Sequence, residues 1–201
     1  MQLFITILFF RQVLCTDKTG TLTQNKLHII LDKTVTFAGC SQEDLMFYAG
    51  ISCRRLEEGQ DAIDHCITQT CKKWNDNDEL FHRMNKHPTV DFVPFDPEIK
   101  RTEATINGPD GQIFCVAKGA PQIMLNLSQN CDEIREKCLQ DINDLATAGY
   151  RTIGIARGTA DKKWTFVGLL AIADPPRFDT KEVVEKAQAL GIKVLMITGD
   201  Q

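Results

Sequence analysis

WTFVGLLAIADPPRFDTKEVVEKAQALGIKVLMITGD, residues 164–200, decides how the rest of the chain is read. An apolar run from Trp164 gives way to the loop ADPPR, then to a helical segment Thr180–Leu190 stopped at Gly191, then to KVLMI (193–197). Strand, helix and strand in that order make a βαβ unit, the building block of a parallel sheet. RQVLCTD (11–17) is a short β-branched and apolar run that closes on an acid, and it reads as another buried strand of that sheet. The fold class is therefore α/β, with residues 34–163 inserted between a first segment (1–33) and the βαβ segment (164–201).

The insertion has an α+β pattern. SQEDLMFYAGISC (41–53) places Ser41 and Asp44 at capping-box spacing ahead of a helix. Residues 61–74 put Ile63, Cys66, Ile67, Thr70, Cys71 and Trp74 along one side of a second helix. The polar stretch 75–87 reads as a loop carrying His82 and His87. TVDFVPF (89–95) reads as a strand, with Pro94 confining it to an edge or to the strand's end. RTEATI and QIFCVA flank NGPDG, which predicts an antiparallel hairpin over 101–117. Pro121 suits a first helical turn, a longer helix runs from Asp132 to Ala148 with Gly149 as its stop, and RTIGIA (151–156) is a strand.

Composition sets the outer limits. The 201 residues suffice for a sizeable core, at 43% apolar and 25% charged. A net charge of −4 argues against a nucleic-acid surface. The eight cysteines contain no C-x-x-C pair and read as small buried hydrophobes in a reducing compartment. MQLFITILFF is apolar but about half the length that spans a bilayer, and no longer apolar stretch follows it. It also lacks the basic flank and cleavage site of a signal peptide. Residues 1–10 are thus an atypical start, and the chain is expected to be cut at both ends.

Two acids fall at the carboxyl ends of parallel strands, where open α/β sheets bind ligands. Asp17 is followed by Thr19–Gly20–Thr21, and Asp200 is preceded by Thr198–Gly199. Small residues let backbone N–H groups approach an anion, and hydroxyls add donors. A carboxylate so placed serves as a nucleophile forming an acyl phosphate, or as a magnesium ligand. Thr19 binds a phosphoryl group but activates water poorly, so a phosphoenzyme would persist. Lys18 fits either orientation, toward this site or away from it. Taken alone, DKTGT and TGD also fit ordinary turns.

The motifs together are more specific. DKTGTLT (17–23) matches the phosphorylation motif of P-type ATPases without a mismatch, and KGAP (118–121), DPPR (174–177) and TGD (198–200) follow in that family's order. DAID (61–64), PFDPEIKRT (94–102), MITGDQ (196–201) and the short spacing from Asp17 to Lys118 resemble its type III, proton-pumping plasma-membrane branch. The resemblance implies a partial haloacid-dehalogenase-like, Rossmannoid phosphorylation domain carrying an inserted nucleotide-binding domain, with ATP and Mg²⁺ as cofactors. It makes Asp17 the phosphoryl acceptor and gives Thr19 a contact to that phosphoryl and a carbonyl for Mg²⁺. Thr198, Gly199 and Asp200 match the loop that holds phosphate. In the insertion, Phe95 matches the aromatic that stacks on adenine, Lys118 the lysine of the pocket floor beside Gly119, and Lys100 and Arg151 two further cations. Asp64, and Asp61 beside it, match acids near the adenine amino group, while Asp174 and Arg177 match hinge-side positions that respond to nucleotide.

Several of these residues fit plainer roles as well. Phe95 suits a core position at a strand end, and Asp61 suits a helix N-terminus favoured by the macrodipole. The family's GDGxNDxP segment, which completes its Mg²⁺ site, and its membrane segments do not occur in these 201 residues. The expectation is therefore the cytoplasmic ATP-binding and phosphorylation region of a plasma-membrane cation pump, reaching a membrane only through other segments and turning over little by itself. The alternatives are a non-catalytic nucleotide-binding fragment and a soluble phosphatase of the dehalogenase superfamily.

Overall fold

A computed structural model describes residues 13–55, 59–74 and 78–197. The atypical start and Thr198, Gly199 and Asp200 lie outside the described residues. The described chain divides into two compact units, His28–Ala173 and, separately, 13–27 with 174–197.

The larger unit is built on a seven-stranded sheet. Its strands are β2 (His28–Ile29), β3 (Val35–Thr36), β4 (Thr89–Asp96), β5 (Arg101–Asn107), β6 (Ile113–Gly119), β7 (Arg151–Thr159) and β8 (Trp164–Ala173). Their order is β2-β8-β7-β6-β5-β4, every pairing is antiparallel, and β3 also pairs with β8. The β5–β6 hairpin closes over NGPDG as the turn chemistry predicts. Helices α1 (Gln42–Ile51), α2 (Ala62–Lys72) and α3 (Glu79–Asn85) enclose one core, packed around Leu45, Ile67, Met84, Val116, Ile155 and Leu170. Helices α4 (Pro121–Leu127) and α5 (Cys131–Thr147) enclose a second, around Met124, Leu125, Cys138, Phe166 and Leu169.

Local chemistry sets the helix starts. Ser41 Oγ accepts the Asp44 N–H at 3.0 Å and donates to the Asp44 carboxylate at 2.8 Å, so both partners of the box are engaged. Asp61 caps α2 in the same way, accepting the Asp64 N–H at 2.7 Å. Pro121 takes the first turn of α4, where a missing N–H costs nothing.

Two expectations are corrected. The stretch read as a loop over 75–87 contains α3, whose Leu80 and Met84 are buried one turn apart. Three apolar residues, Leu80, Phe81 and Met84, in a seven-residue helix are too short a run for periodicity to register. Strand Trp164–Ala173 does not open a parallel βαβ unit: it lies antiparallel to β7 inside the larger sheet. It is covered on both faces, Val167 and Leu170 in one core and Trp164, Phe166 and Leu169 in the other. A strand buried on both sides carries the same unbroken apolar run as a parallel one.

The smaller unit holds the parallel pairing that was expected. β1 (Val13–Asp17) runs parallel to β9 (Lys193–Ile197), with Asp17 opposite Ile197, and α6 (Thr180–Ala189) precedes β9. All eight cysteines are free, and six of them are buried. Among the described residues no helix is long and apolar enough to cross a membrane.

Candidate functional site

A cavity of about 480 Å³ opens in the larger unit where β6 ends and β7 begins. Its lining includes Asp61, Phe95, Lys100, Lys118, Gly119 and Arg151, together with the apolar side chains of Ile63, Pro97, Pro121 and Ile153. Sequence reasoning singles out the first six as site residues; Ile63, Pro97 and Pro121 lie within the quoted motifs without a site role assigned, and Ile153 lies in the strand read over 151–156.

Each contributor is positioned by its local chain. Pro94 cannot donate to the β4–β5 ladder, and the register slips between Val93 and Asp96. Such a bulge re-aims side chains. Phe95 falls within it and is 54% exposed on the cavity, which rules out the core role considered for it. The chain then turns tightly, with the Lys100 N–H donating to the Asp96 carbonyl at 2.7 Å and the Glu98 N–H to the Asp96 carboxylate at 2.7 Å. Lys100 itself takes a left-handed φ of 52°. Its carbonyl accepts the Ala120 N–H at 3.0 Å, which brings the Lys100 turn hard against the end of β6. A Cβ on Gly119 would lie 2.4 Å from that carbonyl oxygen, so glycine is required there by close approach.

Lys118 forms the floor in an unexpected way. Its ammonium is buried, 2.6 Å from Asp64 Oδ1, and it donates to Thr102 Oγ1 at 2.9 Å and to the Ser52 carbonyl at 3.4 Å. Burial alone would lower its pKa; the adjacent Asp64 carboxylate outweighs that and holds the ammonium above its ordinary value. Burial pushes the neighbouring Cys53 thiol far up, so it stays neutral beside the pair. Asp64 Oδ2 also accepts the Arg54 N–H at 2.8 Å. Asp64 therefore stands behind Lys118 rather than on the cavity, and the lysine presents its aliphatic stem. Asp61 does line the cavity, while also serving as the helix cap that was the plainer reading of it. Thr102 and Ser52 were missed. Counting the hairpin back from Asn107 opposite Ile113 sets Thr102 opposite Lys118, a signal present in the sequence; the Ser52 carbonyl left none.

The smaller unit carries the other motif. Asp17 is exposed at the carboxyl end of β1, and its Oδ1 accepts the Lys18 N–H at 2.8 Å. Over 18–22 the chain turns tightly through Gly20, whose φ of 79° is left-handed, and the Thr23 N–H returns to the Lys18 carbonyl at 3.1 Å. Thr23 Oγ1 accepts the Gly20 N–H at 3.1 Å and donates to Asp174 Oδ2 at 2.6 Å, while Asp174 Oδ1 accepts the Lys26 N–H at 3.1 Å. Asp174 is thus engaged in holding the chain after the turn. Arg177 lies 3.5 Å from Asp179, and its N–H donates to the Leu22 carbonyl at 3.0 Å. Asp17 and the Thr19 carbonyl offer hard oxygen donors of the type Mg²⁺ takes alongside waters and phosphates. Among the described residues no group of three acids, histidines or cysteines is gathered as a metal site.

Comparison with known proteins places these features. Residues 38–179 match the model of the P-type ATPase cytoplasmic domain N. The chain is 39% identical over 188 residues to a putative cation-transporting ATPase of Methanocaldococcus jannaschii, covering 94% of this chain and 22% of that protein. It is 35% identical over 193 residues to plasma membrane ATPase 2 of Schizosaccharomyces pombe, covering 94% of this chain and 19% of the relative. Plasma membrane ATPase 1 of Saccharomyces cerevisiae is likewise 35% identical, covering 94% and 20%. The chain thus spans about a fifth of the length of the curated relatives it matches. The mixed α/β architecture of the larger unit is that of a P-type ATPase nucleotide-binding domain. The chain belongs to the P-type ATPase family, and residues 38–179 are its cytoplasmic domain N.

Proposed function

We propose that the 480 Å³ cavity holds the adenine end of ATP and that Asp17 accepts the γ-phosphoryl group, within a longer pump that moves a cation across the plasma membrane. The cation is a proton on this reading, which rests on the resemblance of DAID, PFDPEIKRT and MITGDQ to the proton-pumping branch. The observation that carries the proposal is convergence: Phe95, Lys100, Gly119 with Lys118, and Arg151 come from separate chain segments and line one cavity.

Phe95 offers a flat apolar face for a purine, and Gly119 leaves room beside it. Lys100 and Arg151 supply charge at the lining, where charge-assisted bonds to phosphate are strongest. Lys118, its ammonium already engaged by Asp64, shapes the floor and contributes no net charge. Asp17 supplies the nucleophilic oxygen, and Thr19, having no carboxylate, leaves the resulting acyl phosphate without a general base at that position. ATP supplies the γ-phosphoryl group: as the Asp17 oxygen bonds to the γ-phosphorus, its bond to the β–γ bridging oxygen breaks and ADP leaves with that electron pair. Mg²⁺, held by Asp17 and the Thr19 carbonyl, would neutralise phosphoryl oxygens. The unit bearing Asp17 is assigned to a dehalogenase-like phosphorylation domain, a reading that the parallel β1–β9 pair ending on Asp17 supports.

The test uses Phe95→Ala rather than a Lys118 variant, because removing Lys118 would strand a buried carboxylate and confound binding with folding. Titration with a fluorescent ATP analogue should show affinity lowered about tenfold by Phe95→Ala, in keeping with the worth of an aromatic stack on a base. The melting temperature should hold within a few degrees. Unchanged affinity would overturn the assignment of this cavity.

A further inference from the structure

A second concavity, of about 570 Å³, opens at the opposite end of β6 and β7. The nucleotide cavity takes Gly119 from β6 and Arg151 from β7, whereas this groove takes Phe114 and Arg157. Five and six residues of strand separate those pairs, about 17–20 Å at the usual rise. The groove is a place of its own, unrelated to the family motifs in the sequence.

Its lining is mixed, with aromatic rings among polar and charged side chains. The His87 ring packs edge-on against Phe47 at 4.8 Å and Phe114 at 6.1 Å. The His87 Nδ1–H donates to the Arg83 carbonyl at 2.8 Å, which fixes the ring and leaves Nε2 as its second polar atom. The Arg83 guanidinium lies 4.0 Å above the Phe47 ring and is balanced by Asp44 at 2.8 Å and Glu43 at 3.8 Å. Two other cations line the groove without such balance. Arg157 is exposed and receives only a neutral partner, the Tyr48 hydroxyl at 3.3 Å. Lys163 is exposed too, and among the described residues neither it nor Arg157 forms an ion pair.

We propose that this groove is a second binding site, taking a phosphate monoester attached to a flat apolar group. A guanidinium fork matches phosphate geometry, and an ammonium adds a point charge. With Arg83 set against two carboxylates and Arg157 and Lys163 against none, the groove keeps a net charge of about +1, which attracts the charge of about −1.5 to −2 that a monoester carries at neutral pH. The half-buried rings of His87 and Phe114, backed by the buried Phe47, suit an aromatic carrier. The same chemistry is offered by a free aryl phosphate and by a phosphotyrosine side chain of another polypeptide.

The experiment titrates the ¹⁵N-labelled 201-residue chain with phenyl phosphate, inorganic phosphate and a phosphotyrosine peptide, reading amide shifts. Phenyl phosphate should move Phe114, Gly158 and Thr159 and leave Gly119 and Arg151 in place. Arg157→Gln and, separately, Lys163→Gln should each weaken it about tenfold with the melting temperature retained, the size expected for one charge-assisted contact. Inorganic phosphate should bind about tenfold more weakly than phenyl phosphate. A peptide that binds more tightly than phenyl phosphate identifies a phosphorylated polypeptide as the source; equal affinity identifies a free small ester. Shifts confined to the Gly119 end, no shifts at millimolar ligand, or affinity indifferent to both variants would overturn the site. Equal binding of inorganic and phenyl phosphate would overturn the aromatic half of it.

Discussion

The two units differ in what orders them. In the larger, the strongly buried apolar side chains run from Leu45 to Ile172 and form two cores on opposite faces of one sheet. In the smaller, described apolar residues such as Val13, Leu14, Val183, Leu195 and Met196 are exposed, and Thr23 is the buried side chain. The DKTGTLT stretch, proposed to carry the phosphoryl acceptor, nevertheless sits in the smaller unit, held by polar contacts from Thr23 to Asp174 and from Thr180 Oγ1 to the Leu22 carbonyl at 2.6 Å. A unit ordered by hydrogen bonds should open at lower free energy than one ordered by a core. Both tryptophans, Trp74 and Trp164, lie in the larger unit, so intrinsic fluorescence reports on that unit alone.

The largest effect is expected at the buried ion pair. Asp64→Ala leaves the Lys118 ammonium buried without its counter-charge and should cost about 3–5 kcal/mol in denaturant titrations followed by fluorescence. Asp64→Ala with Lys118→Met should restore most of that loss, because two apolar side chains replace a pair whose desolvation was costly. If the double variant is no more stable than the single one, Asp64 matters for its bond to the Arg54 N–H rather than for the charge.

A smaller change probes the other unit. Asp174→Ala removes the acceptor for the Thr23 hydroxyl and the Lys26 N–H, which should cost about 1–3 kcal/mol locally. Amide exchange at Lys26 should quicken about 5- to 150-fold, the factor that such a cost implies for local opening, while the tryptophan transition stays in place. If that transition shifts equally, the two units unfold as one block and the contrast between them fails.

Legibility in the sequence followed the range of the interactions. The β5–β6 hairpin was readable because NGPDG contains its own turn chemistry, and the α1 and α2 starts because their caps lie three residues apart. The β8 assignment failed because an apolar run records burial on both faces without naming the partner. At the site, Phe95, Lys118 and Arg151 were legible through motifs, and they do share one cavity. What Lys118 does was not legible, since its partners Asp64 and Ser52 lie more than fifty residues away in sequence. The partner of Asp174 was not legible either, since its carboxylate reaches back to a threonine 151 positions earlier.

The smallest effect returns to the larger unit, at a charge cluster on its rim. Glu103 on β5 is 2.7 Å from Arg101 Nε and 2.5 Å from Lys162 Nζ. Burial would raise its carboxyl pKa, but the hydrogen bonds and charges of Lys162 and Arg101 prevail and hold it below the usual carboxylate value. A folded pKa below the unfolded one adds stability that is fully present above the unfolded pKa, near 4.3, and is lost as pH falls through the folded value. Lys162 is half exposed, which keeps the gain within the surface-pair range of up to about 1 kcal/mol. Melting of the parent chain and of Glu103→Gln should therefore differ by a degree or so to a few degrees at pH 6 and draw together as pH falls below about 4.3, where the stabilisation by the ionised carboxyl is progressively lost. A difference that persists unchanged to pH 3 would assign the effect to packing of the side chain, leaving the two cores rather than this cluster as the source of the larger unit's advantage.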